Sequence, residues 1–395
     1  MLPTDGGRTP RILMVTGAYY PEISSGGVQC QNIARELKGR ADVHILTTAV
    51  DRSLRPDDEV DGVPVTRVYV NVRSALSRAG AALRMLFSGL RLISQTDVVH
   101  LHGCSTKNVP ITMLAKVFRK PIVLTLHTAG YDEPNGVEQQ GSLAFWAFVS
   151  ADRYTSVSPS LIDAYLAAGL PADRIELLPN GIDTVRFSPP PEREALRREL
   201  RLPLDRPVVV FVGFFSEDKQ PQVLFDAWLR LHERGIDWTL LLVGDTDSGY
   251  FEVEASLARD MRTRAAAAGL DDRLVMTGRV LDVERYLQAA NVFALPSRRE
   301  GLPLALLEAM SCGLACVASL LPGSTDTIVA DGDNGVLVPP GDAAALADAI
   351  GALLDDGQRA ARLGQAARAT IERRFSSADV AARWLRGYQS LPRPI

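Results

Sequence analysis

A chain of 395 residues is long enough for two or three domains, each with its own hydrophobic core. Hydrophobic residues make up 46% of the chain and charged residues 23%, which excludes a disordered or collagen-like protein. The net charge of −4 argues against a general nucleic-acid-binding protein. No apolar run approaches the roughly 18–20 residues of a membrane-spanning helix, and the first residues lack the apolar core of a signal peptide. We therefore expect a cytoplasmic protein.

The first half of the chain alternates short apolar segments with helical segments. The expected strands are 11–17, 41–47, 63–70, 97–101, 121–127 and 153–156, and the expected helices are 28–37, 73–93, 109–118 and 142–150. Short apolar runs that end at turn residues and precede helices are typical of parallel strands buried on both faces. We predict a doubly wound α/β domain over residues 1–188.

Residues 189–206 interrupt this pattern with consecutive prolines and a strongly charged stretch, which predicts an interdomain linker. A second α/β domain is expected over 207–374. Its predicted strands are 208–212, 238–243, 274–277, 292–295, 315–318 and 335–338, and its predicted helices are 222–233, 251–268, 282–289, 303–312 and 342–354. The tail, 375–395, carries an amphipathic helix that we expect to pack back on the first domain.

Two parallel-sheet domains joined by a linker place a cleft between the carboxyl ends of their strands, where ligands of α/β sheets bind. The most informative segment there is EGLPLALLE, which begins at Glu300 and ends at Glu308. Pro303 suits the first turn of a helix, so Glu300 should lie in the loop and Glu308 within the helix. The free amides of Leu304 and Ala305, together with the helix dipole, would then form an anion site that suits a diphosphate.

A nucleotide-sugar fits such a site, because it has one polyol at each end of a diphosphate. Glu300 and Glu308 could hydrogen-bond hydroxyl groups on either side of that diphosphate. The two carboxylates of a glycoside hydrolase should sit about 5–9.5 Å apart, whereas eight helical residues span about 12 Å. This disfavours a hydrolase pair without excluding it, since part of the segment is loop. Two solvent-exposed glutamates are the other alternative.

Eight ordered motifs resemble those of family 4 of the retaining glycosyltransferases, over nearly the whole chain. They are the Gly26-Gly27 loop, LLPNGID (177–183), VGFFSEDK (212–219), LLVGD (241–245), TGRV (277–280), LPS (295–297), EGLPLALLEAMSCGLACVAS (300–319) and GDNGVLVPPGD (332–342). The resemblance implies the GT-B fold, in which two Rossmann-like domains face each other across a cleft. It also implies that the first domain binds the acceptor and the second binds the donor.

The resemblance assigns roles to individual residues. Glu300 would hold hydroxyls of the donor sugar, Glu308 the nucleotide ribose, and Lys219 the leaving diphosphate. His127 corresponds to the cleft histidine beside the transferred sugar. Arg279 and Val280 would hold the base through backbone atoms. The other expected donor-site residues are Gly26, Gly27, Gly301, Leu302, Pro303, Leu304 and Ala305.

The implied activity is retaining, metal-independent transfer of a hexose-type sugar from a nucleotide-diphosphate sugar, UDP rather than GDP, to an acceptor hydroxyl. The acceptor could be a glycan, a lipid-linked molecule or a small molecule, and no further cofactor is expected. Phe214 stands where the family usually has an arginine, so Lys219 alone, or Arg298 or Arg299, must supply the phosphate cation. The alternatives are a nonhydrolysing sugar-nucleotide epimerase and an inactive nucleotide-sugar-binding module.

Residues 62–96 contain no acidic residue and five arginines: Arg67, Arg73, Arg78, Arg84 and Arg91. If residues 73–91 form one helix, three arginines share one stripe (Arg73, Arg84, Arg91) and four apolar residues share another (Leu76, Leu83, Phe87, Leu90). One interpretation is a surface helix whose apolar stripe lies in the core. The other is a helix whose arginine stripe meets a phosphate-bearing acceptor or, at the inner face of the membrane, anionic lipid.

Overall fold

The computed structural model describes residues 9–22, 24–246 and 253–391, and the chain divides into two compact units. The first unit is Met1–Gly181 together with Ser377–Ile395, and the second is Ile182–Ser376. The strands are β1 (Arg11–Thr16), β2 (Asp42–Ala49), β3 (Asp57–Val60), β4 (Val63–Tyr69), β5 (Val98–His102), β6 (Ile122–Leu126), β7 (Arg153–Ser156), β8 (Ile175–Leu177), β9 (Val208–Val212), β10 (Thr239–Val243), β11 (Leu274–Gly278), β12 (Val292–Leu295), β13 (Ala315–Ser319) and β14 (Val336–Val338).

The helices follow the strands in the alternation that the sequence predicts. They are α1 (Ser25–Glu36), α2 (Ala75–Ile93), α3 (Asn108–Val117), α4 (Pro134–Glu138), α5 (Ser142–Val149), α6 (Pro159–Ala167), α7 (Arg193–Glu199), α8 (Pro221–Glu233), α9 (Ala255–Ala267), α10 (Val283–Ala289), α11 (Leu304–Ser311), α12 (Ala343–Asp355), α13 (Gly357–Arg374) and α14 (Ser377–Ser390).

Each unit is built on one sheet of mostly parallel strands. Among the described residues, the first unit holds an eight-stranded sheet in the order β3-β4-β2-β1-β5-β6-β7-β8, with β3 antiparallel to β4. The second unit holds a six-stranded parallel sheet in the order β11-β10-β9-β12-β13-β14. The strand order reverses beside β1 and beside β9, which is where ligands bind in doubly wound sheets. The predicted doubly wound architecture is confirmed in both units.

Several inner strands are buried at every position, among them β5 and β6 of the first unit and β10 and β13 of the second. Because helices cover both faces of such a sheet, these strands are continuous apolar runs rather than alternating patterns. Strands β5 and β6 nevertheless contain three buried polar residues: His100, His102 and Thr125. Buried polar side chains need hydrogen-bond partners inside the fold, so this group calls for an explanation.

Several elements escape prediction from the sequence. Strand β3 is the polar sequence DDEV at an antiparallel edge, and β8 is only three residues long, so neither has an apolar run. Helices α4 and α6 lie in segments for which the sequence predicts neither a helix nor a strand. Helix α13 buries few large side chains, among them Leu363 and Ile371, and most of its other residues are arginine, alanine or polar. In each case the hydrophobic periodicity was too weak to define the element.

The prediction of a linker over 189–206 is wrong. Helix α7 lies inside this segment and belongs to the second unit. Its buried Arg197 donates from Nε to the Ala289 carbonyl at 2.8 Å and from Nη2 to Asn291 Oδ1 at 2.5 Å. Most charged residues of the segment are exposed, but Arg197 anchors it to the second unit. The chain leaves the first unit at Gly181, seven residues earlier than the predicted boundary at 188.

The C-terminal helix α14 belongs to the first unit, where it packs against α1. Its buried face carries Val380, Trp384 and Tyr388, spaced four residues apart. These side chains join the same hydrophobic core as residues of β1 and α1. The apolar stripe of the tail therefore completes the core of the first unit.

Helix α2 does not bury the apolar stripe that the sequence shows. Its four stripe residues are all exposed: Leu76 (87%), Leu83 (55%), Phe87 (64%) and Leu90 (46%). The buried face is instead made of Ala81, Met85, Gly89 and Ile93. A Cβ at Gly89 would lie 2.7 Å from Ile111 Cδ1, so this glycine lets α3 pack closely. The core interpretation of the stripe is wrong. No helix in the described part of the chain is long and apolar enough to cross a bilayer.

Candidate active site

The second unit places Lys219 against Glu300 beside the carboxyl ends of its strands. Lys219 lies in the loop after β9, and Glu300 lies in the loop between β12 and α11. Lys219 Nζ lies 2.7 Å from both carboxylate oxygens of Glu300, and Ser297 Oγ donates to Glu300 Oε1 at 2.7 Å. The Glu300 side chain is 6% exposed and that of Lys219 is 29% exposed. A fixed cation and a shielded carboxylate thus meet at one point of the sheet edge.

The same two loops are joined by a second set of charges. Arg298 donates to Asp218 Oδ1 at 3.2 Å and to Glu217 Oε2 at 3.0 Å, and Arg299 donates to Asp218 Oδ2 at 2.5 Å. Burial alone would raise the pKa of the Asp218 carboxyl, but the hydrogen bonds from Arg299 and Arg298 lower it below its ordinary value. These ion pairs hold the Lys219 loop to the Glu300 loop.

Glycines bring the neighbouring loops close together. Gly244, directly after β10, has φ +153, and a Cβ there would lie 1.9 Å from the Gly213 carbonyl oxygen. Only glycine fits such an approach. Gly213 donates its amide to the Val243 carbonyl at 3.0 Å, and Gly244 donates to the Gly278 carbonyl at 3.2 Å. The loops after β9, β10 and β11 are therefore adjacent at this edge.

The expected base-binding residues lie at the end of β11. Gly278 has φ +69, a left-handed conformation that favours glycine. Arg279 is exposed and Val280 is half-buried in the turn that follows. The two residues are thus placed on the same sheet edge as Lys219 and Glu300, two strands away from β9.

Helix α11 begins immediately behind Glu300. Pro303 occupies the N-cap position with φ −70 and ψ 107, one residue before the helix starts at Leu304. The Pro303 carbonyl accepts hydrogen bonds from Leu306 and Leu307 at 3.2 and 3.3 Å. The amides of Leu304 and Ala305 have no carbonyl one turn back in the helix, so the first turn presents N–H groups and the positive end of the dipole.

The loop ahead of α11 is fixed rather than loose. Gly301, Leu302 and Pro303 are buried, and the Gly301 carbonyl accepts a hydrogen bond from Ser324 Oγ at 2.8 Å. Ser297 holds the other side of the loop through Glu300. This support keeps the helix amides and the Glu300 carboxylate in a constant arrangement, which is what an anion site requires.

Glu308 lies within α11, behind the helix start, and is half-buried. Burial raises the pKa of the Glu308 carboxyl to about 8, although the nearby Arg186 guanidinium lowers it. Arg186 itself is paired with Glu284, to which it donates at 2.7 Å. The Glu308 carboxyl can hydrogen-bond a diol, because its oxygens accept from hydroxyl groups.

In the first unit, Gly26 and Gly27 open helix α1. Ser24 is the N-cap: its Oγ accepts from the Gly27 amide and donates to the Ala18 carbonyl, each at 3.0 Å. A Cβ at Gly27 would lie 2.1 Å from the Ala18 carbonyl oxygen, whereas a Cβ at Gly26 would come no closer than 3.4 Å to Thr16 Oγ1. Gly27 is required by the fold itself, whereas a Cβ at the buried Gly26 would make only ordinary van der Waals contacts.

His127 directly follows β6 and is buried, with 7% of its surface exposed. Asp132 fixes the adjacent backbone: its carboxylate accepts from the amides of Cys104, His127 and Thr128 at 2.7, 2.8 and 2.8 Å. Burial raises the pKa of Asp132, although these three amides lower it. His127 Nε2 lies 3.1 Å from His102 Nδ1, and Nδ1 of His127 has no partner among the described residues.

The predicted site residues thus form two groups. Lys219, Glu300, Glu308, the start of α11 and the Arg279-Val280 turn lie along one edge of the second unit. Gly26, Gly27 and His127 lie at the carboxyl ends of the central strands in the first unit. In the described part of the chain, no group of three or more histidine, cysteine or acidic side chains is placed to hold a metal ion.

Comparison with known proteins identifies the family to which the chain belongs. Residues 26–186 match the family described as Glycosyltransferase Family 4, and residues 192–370 match Glycosyl transferases group 1. The alpha-maltose-1-phosphate synthase of Mycolicibacterium smegmatis is 31% identical over 96% of this chain and 99% of its own length. The D-inositol 3-phosphate glycosyltransferase of Xylanimonas cellulosilytica is 31% identical over 97% of both chains. The chain belongs to glycosyltransferase family 4.

Solved structures agree with the fold of this glycosyltransferase. HepE of Anabaena, crystallised with UDP and glucose, superimposes with a TM-score of 0.79 at 21% identity, over 96% of this chain and 99% of its own. Sucrose-phosphate synthase of Thermosynechococcus elongatus gives a TM-score of 0.77 at 22% identity, over 96% and 98%. The predicted GT-B fold is confirmed, and the family does not favour the epimerase alternative.

Phe214 stands where the family usually has an arginine, and the two arginines suggested as substitutes are already in ion pairs. Arg298 and Arg299, the two substitutes suggested by the sequence, are both held by Asp218. Lys219 is likewise paired, but its partner Glu300 is itself an expected ligand of the donor sugar. Of these three cations, only Lys219 is paired with an expected donor-site residue.

Several residues that shape these sites were not identified from the sequence. Asp132 anchors the His127 backbone, Ser297 and Asp218 hold the Glu300 and Lys219 loops, and Arg186 lies near Glu308. Ser297 stands in the LPS motif and could have been identified from it. Asp132 and Arg186 carry none, because their partners are distant or backbone groups.

Proposed function

We propose that the enzyme transfers a hexose-type sugar, with retention of configuration and without a metal, from a UDP-sugar to an acceptor hydroxyl. The observation that carries this proposal is the bidentate contact of Lys219 with Glu300 beside the start of α11. A diphosphate bound at the helix amides would draw Lys219 away, and Glu300 would then accept hydrogen bonds from sugar hydroxyls.

The charges of this site suit the bond that must break. Cleavage between the sugar and the diphosphate leaves negative charge on phosphate and positive charge on the anomeric carbon. Lys219 and the amides of Leu304 and Ala305 would stabilise the phosphate where water is excluded, and such preorganised electrostatics are the main source of catalysis in many enzymes. The Glu308 carboxyl would hold the ribose, and Arg279 and Val280 would hold the base.

Retention is proposed to occur on one face of the sugar, with the leaving phosphate oxygen taking the acceptor proton. The alternative is a covalent intermediate on a carboxylate. Glu300 does not suit that role, because it is expected to accept hydrogen bonds from the donor-sugar hydroxyls and Ser297 also donates to one of its oxygens. NMR of the first product anomer tests retention, and a product of inverted configuration would refute it.

The choice of UDP follows HepE, which was solved with UDP and glucose. The main competitor is GDP, because a GDP-mannose-dependent mannosyltransferase of Mycolicibacterium smegmatis is 34% identical over 55% of this chain. Thermal shift with UDP-glucose, UDP-galactose, UDP-N-acetylglucosamine and GDP-mannose separates these donors, since a ligand that binds the folded state raises its melting temperature. We expect stabilisation by a UDP-sugar, and stabilisation by GDP-mannose alone would overturn this choice.

Turnover of the stabilising donor then distinguishes the activities. We expect release of UDP that depends on an added acceptor. Conversion of the donor sugar without any acceptor would identify an epimerase. Stabilisation without turnover, across glycan, lipid-linked and phosphorylated small-molecule acceptors, would identify an inactive binding module.

We also propose that the acceptor is lipid-linked and that the first unit meets it at an anionic membrane surface. The support is the exposed apolar stripe of α2, in particular Leu83 and Phe87, beside exposed Arg84. Helix α2 contains arginines and no acid. Amphipathic helices with this combination lie in the headgroup region of anionic bilayers.

Vesicle flotation tests the membrane proposal. We expect the protein to float with phosphatidylglycerol-containing vesicles and not with pure phosphatidylcholine, and the double variant Leu83→Ser, Phe87→Ser to lose most of this binding. Val185→Ser removes an exposed apolar side chain (85%) from the second unit and should float like the wild type. Equal behaviour on both vesicles, or self-association through the same stripe, would contradict the proposal.

A further inference from the structure

Three buried histidines of the first unit form one hydrogen-bonded line. His100 and His102 lie on β5, and His127 follows β6. His102 Nε2 lies 3.1 Å from His100 Nδ1, and His102 Nδ1 lies 3.1 Å from His127 Nε2. Only the last member of this line, His127, is an expected site residue, so the other two need a reason for being polar inside a sheet.

Helix α14 supplies the other end of the line. Tyr388 Oη lies 2.6 Å from His100 Nδ1, and the Trp384 ring lies over His100 with centroids 4.5 Å apart. On the strand side, His100 Nε2 lies 2.7 Å from Thr125 Oγ1, which in turn lies 2.7 Å from Thr155 Oγ1. The C-terminal helix is thus connected to His127 through two imidazoles.

The rings in this line are neutral at physiological pH. Burial lowers the pKa of His100 and of His102 well below the ordinary value, and it lowers the pKa of His127 to about 4. Burial also raises the pKa of the Tyr388 hydroxyl well above its ordinary value, so the phenol keeps its hydrogen. Each imidazole therefore carries one hydrogen, and the hydrogen bonds decide which nitrogen holds it.

The positions of the hydrogens follow from Tyr388. Among the described residues, its hydroxyl has one hydrogen-bond partner, His100 Nδ1, and the phenol hydrogen is paired only in the arrangement in which Tyr388 donates there. In that arrangement His100 Nδ1 has a lone pair, and the hydrogen of His100 is on Nε2 and is donated to Thr125. His102 Nε2 faces the same lone pair, which it shares with Tyr388, so it carries the hydrogen of His102.

The same reasoning reaches the end of the line. His102 Nδ1 is left with a lone pair, so His127 Nε2 carries the hydrogen and donates it to His102. His127 Nδ1 is then an unprotonated nitrogen, and it is the atom that has no partner among the described residues although it is buried. An unpaired buried acceptor is unfavourable unless a ligand or water supplies a donor.

We propose that Tyr388 and His102 are positioning residues, which fix His127 so that its Nδ1 lone pair accepts a hydrogen bond from a substrate hydroxyl. The benefit for substrate binding rests on the proposed function, whereas the hydrogen arrangement does not. Helix α14 thereby orients a site residue that lies more than 250 residues earlier in the chain.

Nitrogen-15 NMR of the histidine rings tests the arrangement directly, because protonated and unprotonated ring nitrogens have distinct shifts. In the wild type we expect the hydrogen of His127 on Nε2 and a lone pair on Nδ1. In Tyr388→Phe the fixed donor is lost, both arrangements of the line become accessible, and the His127 signals should move toward those of a mixture. A wild-type His127 with its hydrogen on Nδ1 would overturn the proposal without any variant.

Tyr154→Phe is the matched control, since it removes a buried tyrosine hydroxyl of the same unit that donates to the Phe148 carbonyl at 2.7 Å. It should leave the His127 signals unchanged, and an equal change in both variants would contradict a specific role for Tyr388. With a working donor and acceptor, we expect Tyr388→Phe to lower kcat/KM by about threefold to tenfold, the worth of one neutral hydrogen bond. Unchanged kinetics with altered signals would refute the positioning role alone, and absent wild-type turnover would refute the proposed function alone.

Discussion

The candidate sites of the two units use opposite chemistry. In the second unit, ion pairs join neighbouring loops beside a helix start, as Lys219 does with Glu300 and Arg299 with Asp218. In the first unit, the polar groups around His127 are neutral imidazoles, and Asp132 is bonded by backbone amides. A site for a diphosphate needs mobile positive charge, whereas a site for hydroxyl groups needs fixed, uncharged donors and acceptors. The difference supports the proposed division between donor and acceptor.

The largest expected effect is the loss of turnover when the ion pair of Lys219 with Glu300 is removed. We predict that Lys219→Ala and Glu300→Gln each lower turnover by more than about tenfold, toward the 10²-fold loss typical of removing one preorganised electrostatic group. Lys219→Ala removes the phosphate cation and leaves the Glu300 carboxylate without its cation. Steady-state kinetics with the accepted donor measures both variants. Arg264→Ala, which removes an ion pair with Asp226 on α8 and α9, is a control that should keep wild-type turnover.

Wild-type rates in Lys219→Ala would remove its role and leave the helix amides as the only phosphate ligands. A loss that is recovered by Lys219→Arg would show that charge at this position is sufficient. A loss confined to KM in Glu300→Gln would assign Glu300 to binding of the ground state rather than of the transition state.

The ionic site was the more predictable of the two. Glu300, Pro303 and Glu308 stand in one contiguous segment whose helix start and loop follow from local rules. The structure places Pro303 one residue outside the helix, a shift that leaves the free amides at Leu304 and Ala305. Local pattern predicted this part of the site because its residues are neighbours along the chain, whereas Lys219, 81 residues before Glu300, was assigned only by the family resemblance.

The next effect concerns the glycine pair of the first unit. We predict that Gly27→Ala lowers the free energy of unfolding by about 1–3 kcal/mol, because its Cβ would lie 2.1 Å from a backbone oxygen that cannot move freely. Gly26→Ala should leave stability nearly unchanged, since its nearest contact is 3.4 Å. Thermal melts of both variants measure the difference.

Kinetics of Gly26→Ala add a second test of the same pair. If substrate approaches the backbone there, the variant should fold normally and show a raised KM. A normal KM with normal folding would remove Gly26 from the site, and equal stability of the two variants would contradict the packing argument for Gly27.

The uncharged site was less predictable because its parts come from distant segments. His100 and His102 gave only a polar pattern on one strand, and Tyr388 lies in the last predicted helix. Their contact depends on α14 returning to the first unit, which hydrophobic periodicity does not determine. The prediction that the apolar stripe of α2 lies in the core was wrong for a related reason. Periodicity identified the stripe, but tertiary packing selected the small residues Ala81 and Gly89 as the buried face.

A smaller effect concerns pH. Burial raises the pKa of Glu308 to about 8, so its protonated form stabilises the folded state at low pH and this stabilisation is lost as pH rises toward and through about 8. Glu308→Gln cannot ionise. We predict that its melting temperature, measured relative to the wild type, rises between about pH 4.5 and about pH 8 and is level above about pH 8. Parallel melting curves across this range would show that the carboxyl is better solvated than its position in α11 suggests.

The smallest expected effect lies beside Lys219. Gln220 adopts φ +48 and ψ 48, a left-handed conformation that costs a residue with a Cβ about 1–2 kcal/mol. Glycine removes this cost but gains about 0.4–1 kcal/mol of entropy in the unfolded chain. We therefore predict that Gln220→Gly raises the melting temperature by about 1–3 °C, whereas Gln220→Ala does not. A gain in both variants would trace the effect to loss of the glutamine side chain, whose buried Oε1 has no partner among the described residues, rather than to the backbone.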